Sequence, residues 1–522
     1  VRAVLGAIAG LAVILAAGLA CLDRCRKDDR SPGLDDLGVA YALGAAAVSV
    51  LMFWAAWLGH ASPWPVLAPV LLVVFASPRR WIELGRAWRA SIDRWTLVAA
   101  LALALLMAVN VVLTRPSWPG VDGVAIWGFK ARVALRGEIR ASLVDPSRPW
   151  SHPEYPWLVP LIEAWFELVS GTRTESAGRV AQMGFHAATL LLVFGGLRRS
   201  VSLAWSIAGT LALGLLPSFV YWSTFEDADV AIGLAWAGSV IHLHRWLARG
   251  ARSDALLAAL LAVVAAWTKR EGVVALALQG ACFLAVAVHS RRIGPVLPIA
   301  IATLVVLTPW WLVISSCDVV PRDFLPVRIE NAHLDRLPWI PILVGRELLS
   351  VTHWALLWPL VAVALPLRWK ERPLLPRLYL VTSATAPLAI LSGTYVFSTW
   401  PIWYEHVRNS FERLALQQAP VAVFFVTMTL AAPRSFMGAP GGRDVKKVIL
   451  LVLGVLCGVY SLAQGAYLVL MLMGRAESNS TRLTASAGIL CLALGVTLTL
   501  FKAALRAPGP PPGGAVGPSN KA

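Results

Sequence analysis

The stretch that decides the fold is Trp118–Ile139, "WPGVDGVAIWGFKARVALRGEI". A Pro-Gly turn places one acid, Asp122, ahead of an aromatic, basic run with the spacing of an amphipathic helix. Apolar segments lie on either side, near 95–113 and 177–197, and each is long enough to approach a bilayer span. The polar loop between them, 114–176, is about sixty residues long, and a loop of that length needs a reason to exist.

Working outward, the same alternation fills the chain. Of 522 residues, 58% are hydrophobic and 14% charged, with a mean hydropathy of +0.68. A soluble domain would carry about 25% charge. Apolar segments fall near 3–22, 39–59, 64–78, 95–113, 177–197, 201–220, 228–246, 254–268, 273–289, 294–315, 346–366, 376–396, 414–431, 447–472 and 483–501. This pattern predicts an all-α polytopic membrane protein of about 13–15 transmembrane helices. The weak ten-residue alternation of a transmembrane barrel is missing.

The formal net charge of +17 lies mostly in short loops between spans. It therefore reads as membrane orientation and not as a nucleic-acid footprint. "DRCRKDDR", "SPRRWIELGRAWRASIDR", "GGLRRS", "RWLARGARSD", "HSRR", "LRWKERPLLPR" and "PRSFMGAPGGRDVKK" fall on one side in register. Placing them in the cytoplasm leaves 114–176, 221–228, 269–272, 316–345, 397–413 and 473–482 outside. No small-residue cleavage site follows the first segment, so a retained helix is expected there. Val1, with the richness in Ala, Arg, Gly, Pro and Trp, suggests a GC-rich bacterial source. The six cysteines are scattered and form no metal-binding spacing.

Four external constellations carry chemistry. In the first loop, Asp122 reads either as a helix N-cap or as a catalytic carboxylate; Trp127, Lys130 and Arg132 suit a helix in the interface. Beyond it "SHPEYPWLVPLIEAWFELV" offers His152, Glu154 and Tyr155 between prolines. "YWSTFEDADVAIGLAW" gathers Glu226, Asp227 and Asp229, which repel one another unless solvated or paired. These acids suit a metal or an acceptor facing Asp122. "AAWTKREGVVALAL" puts Lys269, Arg270 and Glu271 on an outer turn, against the positive-inside pattern; such cations suit a phosphate. "TWPIWYEHVRNSFERLALQQAP" brings His406, Ser410 and Arg413 onto one helical face beside an aromatic belt. P-loop, GxSxG and HExxH patterns are missing.

In order and spacing these pieces resemble the GT-C superfamily of membrane glycosyltransferases. They look most like the bacterial family 39-type enzymes, which are related to protein O-mannosyltransferases and to transferases that modify lipopolysaccharide. "VDGVAIWGFKARVAL", "HPEYPWLVPLIEAWF", the external "ADV", "TKREG" and "SFERLALQQAP" carry the resemblance over roughly residues 95–420. Many relatives have an Asp-Glu pair where this chain has Asp122-Gly123, and Lys-Asn-Glu-Gly where it has Lys269-Arg270-Glu271-Gly272. More spans precede the first long loop here than the one that relatives often have.

The resemblance implies a GT-C-like catalytic core over 95–420; the apolar segments give N-terminal helices over 1–94 and further helices over 421–505, and the Pro/Gly-rich tail, 506–522, reads as disordered. It implies a donor sugar on a polyprenyl phosphate. Transfer would go to a hydroxyl of an envelope glycan, lipid or protein at the outer face of the bacterial cytoplasmic membrane, with inversion. Asp122 would be the base, and Asp229, with Glu226 or Asp227, would orient the acceptor or hold a divalent cation such as Mg or Mn. Lys269 and Arg413, supported by Arg270 and His406, would hold the carrier phosphate; His152, Glu154, Tyr155 and Glu271 would orient or line the acceptor. The competing functions are a flippase or transporter, and a polymerase or ligase of lipid-linked surface polysaccharide.

Overall fold

The computed structural model describes residues 2–431 apart from 26–31, 77, 104–119, 146, 148, 172–174, 318, 320–322, 325–327 and 368–373. The segments expected at 447–472 and 483–501 and the tail lie outside the described residues. The chain up to Ala431 forms one compact unit. The regular structure among the described residues is helical, with an isolated antiparallel bridge between Phe324 and Ser398. Seven described helices are long and apolar enough to cross a membrane, eight if one bent pair counts as a span. The protein is a multi-pass, all-α membrane protein.

The N-terminal helices are α1 (Arg2–Cys25), α2 (Asp35–Trp57), α3 (Trp64–Ala76), α4 (Pro78–Ser91) and α5 (Arg94–Leu103). After a π-helical turn, Gly123–Trp127, come α6 (Gly128–Leu135), α7 (Ile139–Val144) and α8 (Leu158–Ser170). The central helices are α9 (Glu175–Arg198), α10 (Leu203–Gly214), α11 (Pro217–Trp222), α12 (Asp229–Arg249), α13 (Arg252–Thr268), α14 (Gly272–Ser290) and α15 (Leu297–Ser316). The last described are α16 (Ile340–Leu348), α17 (Val351–Trp354), α18 (Leu357–Ala364), α19 (Leu374–Gly393) and α20 (Trp403–Leu430).

Helix α12 lies at the centre, packed against α2, α9, α13, α19 and α20. Its polar residues therefore face other helices and not lipid, which explains why it is less apolar than α14 or α15 at the periphery. Helices α1 and α2 cross on glycines: a Cβ on Gly18 would lie 1.6 Å from the Ala40 carbonyl, and one on Gly44 1.9 Å from that of Ile14. Small residues at such a crossing let backbones touch. At the end of the bundle formed by the α2 N-terminus and the α9 and α12 C-termini, buried Asp35 takes Arg199 at 2.9 Å and Arg245 at 2.7 Å.

Two expected spans are broken. The 201–220 segment divides at Leu215–Leu216, where Pro217 starts α11. The 346–366 segment is three short helices, α16 to α18, with Ala355 at φ +48° between the last two. Apolar composition alone does not distinguish a continuous span from short helices folded against the bundle. The helix expected in the interface is also enclosed: Trp127 and Lys130 are buried, α6 packs on α8, and Arg132 is exposed.

Candidate active site

Four chain segments converge at the other end of the bundle: the turn before α6, the N-terminus of α12, the α13–α14 turn and the third turn of α20. Their centre is Arg413. Its Nε donates to Asp229 Oδ2 at 2.7 Å and its Nη2 to Asp227 at 2.6–2.7 Å. Its Nη1 donates to Asp122 Oδ2. The guanidinium lies 5.1 Å from the centroid of the Trp222 ring, and Glu412 fixes that ring by accepting from Trp222 Nε1 at 3.1 Å and from Ser218 Oγ at 2.5 Å.

Asp229 is fully buried and shares its charge among three donors. Besides Arg413, Lys269 Nζ donates to Oδ1 at 2.9 Å and Gln417 Nε2 at 2.7 Å. Its place as the first residue of α12 adds the positive end of the helix dipole. Lys269 also reaches Glu271 Oε1 at 3.1 Å. Burial alone would lower the lysine's pKa, but the Asp229 and Glu271 carboxylates outweigh it and hold Lys269 above its ordinary value.

The local sequence builds this turn. Helix α13 ends at Thr268, Lys269 is extended at φ −154°, and Glu271 precedes α14. Gly272 then lets α14 leave beside α13, for a Cβ there would meet the Ala265 carbonyl at 2.0 Å. Asp122 is not a side-chain cap: it already has helical dihedrals and makes no capping hydrogen bond. Its carboxylate is turned to Arg413 instead and is one-third exposed.

Asp122, Asp227, Asp229, Lys269, Glu271 and Arg413 thus meet in one network. Four carboxylates face two cations. Burial, with Asp229 and Asp122 close by, pushes Asp227 up to about 8 despite Arg413, so its proton removes part of the excess at neutral pH. Lys269 and Arg413, expected to face a phosphate, are first of all the partners of these acids. Arg270, exposed on the same turn, makes no ion pair among the described residues.

Other expected residues stand apart. Glu226 points to Arg179, at 3.4 Å, and not to Arg413. The three-acid run lies in a loop that splits its side chains between two partners, which spacing alone does not foresee. His406 is buried, bonded through Nδ1 to Ser398 Oγ at 2.7 Å and stacked on Trp400; Ser410 donates to its carbonyl. His152 Nδ1 faces Glu154 at 3.0 Å and its Nε2 faces Asp323 at 3.6 Å. Tyr155 stacks between His152 and Trp127. Among the described residues, no group of three or more His, Cys, Asp or Glu side chains could hold a metal ion; the positive charge between Asp122, Asp227 and Asp229 is the Arg413 guanidinium.

No family model matches the chain, and no curated protein matches it. Two solved chains do. Both are ArnT from Cupriavidus metallidurans. The apo crystal structure of ArnT is 18% identical with a TM-score of 0.45, over 78% of this chain and 76% of that one. The crystal structure of ArnT bound to undecaprenyl phosphate is 16% identical, with the same TM-score, over 79% and 76%.

Several residues that support the cluster or the turn beside it are not evident from the motifs: Trp222, Glu412, Gln417, Lys130 and Asp323. Gln417 had a signal. The pair Gln417-Gln418 interrupts an otherwise apolar stretch of α20, and polar groups inside a span are costly unless engaged. Trp222 and Asp323 had none, because their roles come from residues almost two hundred and about one hundred and seventy positions away.

Proposed function

We propose that the protein is a membrane glycosyltransferase of GT-C type. It would move a sugar from a polyprenyl-phosphate carrier to a hydroxyl of an envelope glycan, lipid or protein at the outer face of the bacterial cytoplasmic membrane. The observation that carries this is the convergence of Asp122, Asp229, Lys269 and Arg413 from four distant segments at one end of the bundle. These are residues on which the sequence resemblance rests.

The chemistry needs one base and one anion site. The acceptor hydroxyl attacks the anomeric carbon; a new C–O bond forms as the bond to the carrier phosphate breaks. The proton goes to Asp122, and the electron pair leaves on the phosphate. Arg413 fixes Asp122 through Oδ2, and Oδ1, which makes no hydrogen bond among the described residues, takes the proton. A single displacement inverts the centre, unlike the two-carboxylate work of glycosidases.

A guanidinium has five N–H groups. Three are committed to aspartates, which leaves one on each terminal nitrogen for a phosphate oxygen. Lys269 likewise keeps one of its three. Arg270 makes no ion pair among the described residues, so it supplies the long-range attraction while Lys269 and Arg413 supply the fixed contacts. If a divalent cation takes part, Asp122 and Asp229 are the acids to hold it, in competition with Arg413.

The test is donor consumption. The purified protein is supplied with a set of polyprenyl-phosphate sugars and an envelope-lipid extract, and free carrier phosphate and glycosylated acceptor are measured. Release of both supports the transferase. Movement of donor across sealed vesicles without consumption would replace it with a transporter, and consumption of diphosphate-linked glycans alone with a polymerase or ligase.

A further inference from the structure

Among the described residues, the most enclosed cation of the first long loop is not one of those assigned to substrate. The Lys130 side chain is 1% exposed. Its ammonium donates to two backbone carbonyls, His152 at 2.6 Å and Tyr155 at 2.9 Å. It sits 5.3 Å from the Trp157 ring centroid and 5.8 Å from that of Tyr155. Among the described residues no carboxylate forms an ion pair with it. Burial draws its pKa down to about 7, with Glu154 opposing.

The two carbonyls belong to one tight turn. Tyr155 N donates to the His152 carbonyl at 2.9 Å, so that oxygen receives both the turn's own bond and Lys130. His152 has φ +47°, a left-handed conformation that is strained for a non-glycine residue. It persists only where the surroundings over-determine it. Here the imidazole is set between Glu154 and Asp323 and stacked on Tyr155 at 4.7 Å. Tyr155 in turn stacks on Trp127 at 5.8 Å, in the π-helical turn that directly follows Asp122.

We propose that Lys130 is the positioning residue of this turn: by holding the His152 and Tyr155 carbonyls it keeps His152 left-handed and fixes the Trp127–Tyr155–His152 ring stack relative to Asp122. Lys130 touches no substrate. It sets the wall that the acceptor meets, so its loss disturbs acceptor use and leaves donor use intact. The inference about the acceptor rests on the function proposed above; the inference about the turn does not.

Lys130→Met keeps the apolar stem and removes both carbonyl bonds. Lys130→Arg retains donors for them and serves as the conservative variant. Hydrogen exchange of the 149–157 segment is followed in detergent, with the acceptor and donor KM of each protein in the transfer assay. In Lys130→Met, exchange at the Tyr155 amide should rise at least tenfold, and the acceptor KM about tenfold, with the donor KM within twofold. Lys130→Arg should recover most of both. Unchanged exchange at Tyr155 in Lys130→Met would overturn the positioning role, as would equal rises in both KM values. If wild type transfers nothing but exchange responds as stated, the function fails and the turn's dependence on Lys130 stands. If Lys130→Met does not fold, the Lys130→Arg exchange decides: protection close to wild type supports the role, and loss equal to global unfolding refutes it.

Discussion

Replacing Arg413 with methionine removes the positive charge from between three aspartates while roughly keeping the volume. Asp229 and Asp227 are almost wholly buried and Asp122 is one-third exposed. Removing one partner of a buried pair costs about 3–5 kcal/mol, because the other charge is left uncompensated. Asp229 keeps Lys269 and Gln417, and Asp227, already pushed up to about 8, relieves itself by binding a proton. The loss should therefore sit near the lower figure at pH 6 and grow by pH 9. Adding Asp229→Asn should cost less in the Arg413→Met background than in wild type, with a coupling of about 1–3 kcal/mol. The assay is thermal and denaturant unfolding of the four proteins in one detergent at both pH values. An Arg413→Met protein as stable as wild type, or strictly additive effects, would refute the network.

Further outcomes follow from the same geometry. Arg270→Ala should weaken donor binding about tenfold with stability within about 0.5 kcal/mol, since the residue is exposed; unchanged donor affinity in a binding titration would remove it from the phosphate site. Gly272→Ala should displace the turn that carries Lys269 and lower turnover at least tenfold, because its Cβ would meet the Ala265 carbonyl at 2.0 Å; a wild-type rate would contradict that. Asp227 has a folded pKa raised far above its unfolded value near 3.8, so the folded chain keeps a proton the unfolded chain releases. Its contribution to stability should fall between about pH 4 and pH 8 and level off above. Asp227→Asn should flatten that fall in unfolding measured across the range.

The helical, multi-pass architecture was legible because a bilayer demands long apolar segments and leaves few alternatives. Boundaries were less legible where apolar residues pack against protein. Residues 346–366 read as one span yet form three short helices, since neighbours can satisfy a broken backbone that lipid would not. The candidate site was legible as residue types that gather at one end of the bundle, in Asp122, Asp229, Lys269 and Arg413. Their pairing was not. Nothing in "TKREG" says that Lys269 is held by an acid forty positions earlier, or that Arg413 serves three aspartates before any phosphate. Glu226 shows the limit from the other side: next to Asp227 in sequence, it turns to a different partner. Lys130 read as an interfacial charge because its partners are backbone carbonyls, which any sequence could supply.

The decisive measurement is single-turnover transfer with donor bound in advance, comparing wild type with Asp122→Asn, alongside donor affinity and unfolding. The proposed function predicts a rate lower by about a hundredfold or more in Asp122→Asn, within the range for a lost general base, with donor affinity little changed and the protein folded. A folded Asp122→Asn protein that transfers at close to the wild-type rate would contradict it.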